Sequence, residues 1–183
     1  MTFKGENTKM PTFDTPSVCL RALEPADVET LYGWENDPAV WGVSAAHQPF
    51  SRYALQRFID ECSGSDIYAS RQLRLMADAE GRPVGCIDLY DFDPYHRRAG
   101  IGIIVDSLQR GKGYATAMLH SLEAFAAEHL SMHQLYCDIA LDNQRSISLF
   151  TKCGFSPCGT MSQWVWNGTR WTDACRMQKI IEI

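Results

Sequence analysis

The sequence predicts one mixed α/β domain, and three observations carry that prediction. Strand-like runs and helical patterns follow one another in the order β-α-α-β-β-β-α-β-α-β-β. A glycine-containing loop, Gln109-Arg110-Gly111-Lys112-Gly113-Tyr114-Ala115, stands between an apolar strand and a long amphipathic helix. The chain closes on an Asn167-Gly168 hairpin signal rather than on further strand–helix–strand units. With 183 residues, 45% hydrophobic and 21% charged, it can bury one core of ordinary size. Residues 1–16 hold Gly, Asn, two prolines and few apolar side chains, which predicts a flexible lead-in before a domain over 17–183.

Val18–Leu23 is strand-like. Glu24-Pro25-Ala26-Asp27 then opens a helix through Leu31 and Trp34 toward Asn36-Asp37-Pro38, since a first helical turn accommodates proline. After a loop with Trp41 and His47, Ser51 caps a second helix whose Leu55, Phe58, Ile59 and Cys62 follow helical spacing. Strands over Gln72–Ala77 and Pro83–Phe92 flank Glu80-Gly81-Arg82, a turn short enough for an antiparallel hairpin. Asp93–Arg98 turns the chain into a central strand, Ala99–Val105. The glycine loop delivers a helix over Gly113–Leu130, where Ala115, Met118, Leu119, Leu122, Phe125 and Ala126 form one apolar stripe suited to covering a sheet. Gln134–Leu141 reads as a strand and Asn143-Gln144-Arg145-Ser146 as the start of a short helix ending at Cys153. Gly154-Phe155 fits a left-handed cap with a hydrophobic closing contact. Met161–Trp166 and Arg170–Ile180 form the final hairpin.

Several function classes are excluded. A formal charge of -5 without a basic run or basic helix face argues against nucleic-acid binding. No apolar stretch is long enough for a signal peptide or a membrane span, so a soluble cytoplasmic protein is expected. The seven cysteines are odd in number and scattered, with no Cys-x-x-Cys pair, which indicates neither a disulfide framework nor zinc. His129 and His133 straddle the expected helix end with no carboxylate or thiol at ligand spacing, so no metal is expected.

The glycine loop has the form of a pyrophosphate cradle. Glycines at the mouth of a helix let backbone approach an anion, which then meets unpaired N–H groups and the positive dipole end. A P-loop would need Ser or Thr after Lys112, where Gly113 stands, and a dinucleotide fingerprint would need a third glycine where Thr116 stands. Arg110-x-x-Gly113-x-Ala115 resembles the acetyl-CoA loop of the GNAT acetyltransferase superfamily. Asn143-x-x-Ser146-x-x-Leu149-Phe150-x-Lys152-x-Gly154-Phe155 is similar to its segment beside the pantetheine arm. Within that superfamily the chain is most similar to the spermidine/diamine acetyltransferases and their relatives acting on ribosomal-protein N-termini. The similar stretches are Trp34–Pro38, Val84–Leu89, His96–Ala99 and Trp166–Asp173.

The resemblance implies a central mixed, mostly antiparallel sheet with helices on both faces. It implies acetyl-CoA as cosubstrate and acetyl transfer to a small amine or polyamine. A peptide or protein N-terminus is the alternative acceptor, and a CoA-binding module without turnover is a further one. Backbone groups of Ile103, Ile104 and Val105 are then expected on the pantetheine arm and thioester carbonyl, an oxyanion-hole role. Arg110, Gly111, Lys112, Gly113, Tyr114, Ala115 and Thr116 are expected on the pyrophosphate, with Asn143, Ser146 and Phe150 completing the cofactor site. Asn143 and Ser146 can cap the following helix as well.

The acceptor side is less determined. A neutral amine nucleophile needs a proton acceptor, for which Glu35, Asp88 and Asp91 are the candidates, each also readable as a solvated carboxylate. Many members of the superfamily use a tyrosine as general acid where Phe150 stands, and phenylalanine has no proton to give. Ser146, Cys153, water or unassisted thiolate departure remain open, because a thiol with pKa near ~8.5 is a fair leaving group. Gly100, where polyamine enzymes of this type usually carry an acid, shares a strand face with Gly102. The pair signals close approach by a ligand or packing against a large neighbour. Trp34, Trp41, Tyr90, Tyr95 and Trp166 are candidates for an amine pocket, and the Trp164/Trp166/Trp171 hairpin is a possible homodimer contact.

Overall fold

The computed structural model describes residues 16–38 and 48–181; Trp41, His47 and nearly all of the lead-in lie outside them. Seven strands form one sheet in the order β1-β2-β3-β4-β5-β7-β6. They are β1 (Cys19–Arg21), β2 (Leu73–Ala79), β3 (Arg82–Asp93), β4 (Arg98–Val105), β5 (Gln134–Ala140), β6 (Ser156–Trp166) and β7 (Trp171–Ile180). Every neighbouring pair is antiparallel except β4 and β5, giving the expected mixed sheet. Among the described residues the α-helices are α1 (Val28–Glu35), α2 (Arg52–Gly64), α3 (Ile67–Ser70), α4 (Tyr114–Glu128) and α5 (Gln144–Lys152).

Strand alternation assigns the faces. Leu75 and Ala77 of β2, Ile87 and Leu89 of β3, Ala99 and Ile101 of β4, and Leu135, Cys137 and Ile139 of β5 point one way. There Met118, Leu119, Leu122 and Ala126 of α4 and Phe150 of α5 cover them, as the helical stripe requires. The intervening residues point the other way, where Met76 and Cys86 meet Leu31 and Trp34 of α1 and Leu55 and Ile59 of α2.

Local chemistry fixes the joints. Glu80 and Gly81, at φ 52 and 73, form the two-residue β2–β3 turn with both central residues left-handed, which matches the twist of the strands. The Ser51 hydroxyl accepts from the Ala54 N–H at the start of α2. α5 ends with Gly154 at φ 89, the Phe155 N–H bonding back to the Phe150 carbonyl and the Gly154 N–H to that of Thr151. The last hairpin closes through Asn167–Arg170, where the Asn167 side-chain oxygen accepts from the N–H groups of Thr169 and Arg170. Two short elements are additional to those the sequence predicts, α3 and a 3-10 turn over Ser107–Gln109. α3 is a single turn, capped by Asp66 and ended by Arg71 at φ 59, and one turn is too short for a periodic signal.

A break in the sheet positions the site. β4 and β5 pair only at Arg98↔Gln134, Ala99↔Leu135 and Gly100↔Tyr136. Beyond Gly100, β4 continues to Val105 bonded to β3, while β5 continues to Ala140 bonded to β7. The two strands therefore splay, and alternate backbone groups of residues 101–105 face the gap.

Candidate active site

On one side of the splay the chain offers backbone. Asp106 organises the exit from β4: its carboxylate accepts from the Leu108 N–H at 2.7 Å and from the Trp34 indole at 3.1 Å. The loop then runs through Gly111 at φ 80 and Gly113 at φ 85. An added Cβ at Gly111 would meet nothing within 4 Å, so glycine is needed there for its dihedral angle rather than for space. The first backbone bond of α4 runs from the Ala117 N–H to the Gly113 carbonyl. The N–H groups of Tyr114, Ala115 and Thr116 thus remain at the positive end of a helix of 15 residues.

Arg110 folds back to donate from Nε to the Val105 carbonyl at 3.2 Å, and Lys112 Nζ donates to Gln109 Oε1 at 2.8 Å. Both cations therefore lie against the loop. Ile103, Ile104 and Val105 lie on the splayed part of β4, so the strand and loop expected to hold a cofactor are contiguous. Asn143 caps α5, its side-chain oxygen accepting from the Ser146 N–H at 3.1 Å. Phe150 stands apart from these groups. It is 3% exposed and meets Phe155 edge-on at 5.0 Å, a core contact. Cys153 is buried too, and burial pushes its thiol up against a hydrogen bond with Thr116. Phe150 has no proton to give, and the Cys153 thiol is enclosed in the core.

On the other side of the splay the chain offers charge. A cleft of about 710 Å³ is lined by Glu35, Phe58, Arg74, Asp88, Tyr90, Gly102 and Asp138 among others. Arg74 of β2 lies directly across from Asp88 of β3 and donates to it through Nε at 2.6 Å and Nη2 at 2.9 Å. Its Nη1 donates to Glu35 at the end of α1, a residue 5% exposed. The Phe58 ring lies 5.3 Å from the guanidinium. Burial opposes the charge on Arg74, but Asp88 and Glu35 outweigh it and hold the group protonated. Beneath it Cys86 is wholly buried and its thiol is pushed far up by that burial, so it is not a nucleophile.

The structure therefore brings two of the three candidate bases together and separates the third. Glu35 and Asp88 share one guanidinium, and Asp88 faces Gly102, where an added Cβ would come 3.3 Å from its Oδ2. Asp91 sits on a bulge at φ 49, exposed, with the Tyr136 hydroxyl donating to it at 3.3 Å. The glycine pair divides in the same way. Gly102 opens on the cleft, whereas a Cβ at Gly100 would fall 2.3 Å from the ring of Tyr90, its cross-strand partner. Packing is the reason for Gly100.

Of the candidate pocket aromatics, Tyr90 lines the cleft, its hydroxyl raised by burial and by Asp138. Trp34 is a core residue bonded to Asp106, Tyr95 is 87% exposed on the β3–β4 turn, and Trp166 lies on the exposed end of the last hairpin against Trp171. Sequence reasoning missed Arg74, Asp138 and Phe58. For Arg74 the only signal was a charge between Leu73 and Leu75; its place opposite Asp88 follows from the ladder shift at Ala77/Asp78.

A family model for the acetyltransferase (GNAT) domain matches residues 17–156. The chain belongs to that family. It is accordingly an N-acetyltransferase. Its relatives include the spermidine N(1)-acetyltransferase of Vibrio cholerae, 24% identical over 159 residues that span 86% of this chain and 90% of that one. The enzyme of the same name from Escherichia coli K12 is 24% identical over 164 residues, 88% of this chain and 84% of that one. Among crystal structures, the Vibrio cholerae spermidine N-acetyltransferase in complex with CoA and spermine superposes with a TM-score of 0.81 at 23% identity. That match covers 90% of this chain and 95% of the other, and it shows a shared fold.

Proposed function

We propose that the protein transfers the acetyl group of acetyl-CoA to the primary amine of a small molecule bound in the cleft that Glu35, Arg74 and Asp88 line. The observation that carries the proposal is the splay of β4 from β5. It leaves backbone groups of Ile103–Val105 unpaired by β5 at the edge of a cleft whose floor holds carboxylates. Relatives named for spermidine acetylation support an amine as acceptor.

This chain's residues fit the cofactor. The φ > 0 glycines 111 and 113, the free N–H groups at the start of α4, and the flanking Arg110 and Lys112 suit a pyrophosphate. The open edge of β4 suits an amide-bearing arm. Acetyl-CoA supplies an activated thioester at that edge. Backbone N–H groups of Ile103 and Val105, which the register turns away from β3, orient the carbonyl and polarise it, whereas that of Ile104 faces β3. Asp88 stands against Gly102, on the side from which an amine approaches. Arg74 fixes both of its oxygens and leaves further lone pairs to receive an ammonium proton, directly or through water. Glu35 is one guanidinium further back and acts through Arg74. Phe150 gives no proton, so the thiolate departs unassisted or takes its proton from water.

Incubation with acetyl-CoA and a panel of small amines, polyamines and peptides, followed by free-thiol release, tests the proposal. Release with small amines and none with peptides is expected. Release with peptides alone would overturn it.

A further inference from the structure

We infer that Arg74 restricts the acceptor to an amine that brings a single positive charge into the cleft. The inference rests on the small-amine reading above and names the substrate class within it. Glu35, Asp88 and Asp138 are the carboxylates lining the cleft. Arg74 donates to the first two, and Arg176 donates to Asp138 through two bonds of 2.7 Å. Among the described residues, three carboxylates against two guanidiniums leave at most one negative charge unbalanced. Residues 39–47, outside the described part, contain no Asp or Glu and a single titratable side chain, His47, so they can add positive charge but no negative charge.

Arg74 is not a surface side chain that can swing aside. It is held by Asp88 across the β2–β3 ladder, by Glu35 from α1 and by the Phe58 ring from α2, with a fifth of its side chain exposed. Its guanidinium lies between two carboxylates, the place where the second ammonium of a diamine would gain most. A first ammonium meets the remaining negative charge beside Asp88. A second meets carboxylates that already hold a guanidinium and is repelled by that fixed cation, strongly so in a half-buried cleft. Arg74 is thus a specificity-determining residue that acts by occupying the second cation's position.

The test compares pentylamine with 1,5-diaminopentane at saturating acetyl-CoA, by thiol release and by calorimetric binding, on the wild type, Arg74→Met and the double variant Arg74→Met/Glu35→Gln. The wild type should favour the monoamine by about tenfold or more in kcat/KM, and Arg74→Met should shift the ratio toward the diamine by at least about tenfold. The double variant removes one carboxylate along with the guanidinium, restores a net charge of about one, and should return to the monoamine. A wild type that uses the diamine as well as the monoamine overturns the inference, as does a double variant that prefers the diamine; both hold even if Arg74→Met fails to fold. If neither amine reacts, the small-amine reading fails. Calorimetry then decides the inference alone: diamine binding gained in the variant supports it, and equal binding of both amines to the wild type overturns it.

Discussion

The two faces of the sheet are held by different forces. Under α4 and α5 the contact is apolar, with Met118, Leu119, Leu122 and Phe150 pressed onto Ile87, Leu89, Ile101 and Leu135. Under α1 and α2 a smaller apolar group around Leu31, Trp34, Ile59 and Met76 is joined by ion pairs. Arg21 bonds Asp27 and Asp78 there, and Arg74 bonds Glu35 and Asp88. Apolar burial is non-directional and indifferent to pH. Buried ion pairs add little net stability, yet removing one partner costs much because the other stays buried and charged. The first face therefore supplies stability, and the second spends some of it to hold charge in the cleft proposed for the acceptor.

That contrast can be broken at several points. Leu122→Ala on the apolar face should lower stability by about 2–5 kcal/mol, with the loss unchanged between neutral and acidic pH in denaturant titrations. On the charged face Asp27→Asn should cost less, about 1–3 kcal/mol, and the cost should depend on pH. The hydrogen bond from Arg21 holds the Asp27 carboxyl below its usual range, with burial opposing and the Glu24 N–H assisting. A carboxyl lowered on folding stabilises above its unfolded value, near pH ~4, and loses that contribution as pH falls through the folded value. The Tm gap between wild type and Asp27→Asn should therefore close on acidification. A gap that persists or widens would place the stabilisation in packing instead.

Two further variants sharpen the boundary between the cofactor and acceptor sides. Gly113→Ala forces a side chain into φ 85 and toward Pro16 Cδ, 3.1 Å from the new Cβ. Left-handed strain of about 1–2 kcal/mol should raise the KM for acetyl-CoA by about tenfold and leave the acceptor KM unchanged. Lys112→Ala should have the smallest effect, about threefold on the same KM and vanishing at high salt, since Lys112 is an exposed cation.

Much of the apolar face and the glycine loop before α4 was legible in the sequence because their signals are local. The α4 stripe is a period of one helix, Gly111 and Gly113 are adjacent breaks before it, and the Asn143 and Gly154 caps are read within a few residues of their helix. The charged cleft is assembled from α1, β2, β3 and β5, so its pairs depend on register. In Leu73-Arg74-Leu75-Met76 a lone charge reads as a solvent-facing position. It lies opposite Asp88 only after the irregularity at Ala77/Asp78 shifts the ladder by one residue. Asp138 is hidden for the same reason, being on β5 where the strand leaves β4. Gly100 left ligand approach and packing equally open, and Tyr90 decided it by lying across the strand from it. Phe150 reads as part of a cofactor motif, whereas its ring serves the helix cap with Phe155.

The most direct test of the account is the kinetics of Asp88→Asn beside the wild type, with acetyl-CoA and a small primary amine. The account predicts a loss of about 100-fold or more in kcat/KM for the amine, with the KM for acetyl-CoA within about threefold, because Asp88 acts on the acceptor side alone. An Asp88→Asn enzyme as active as the wild type would contradict it.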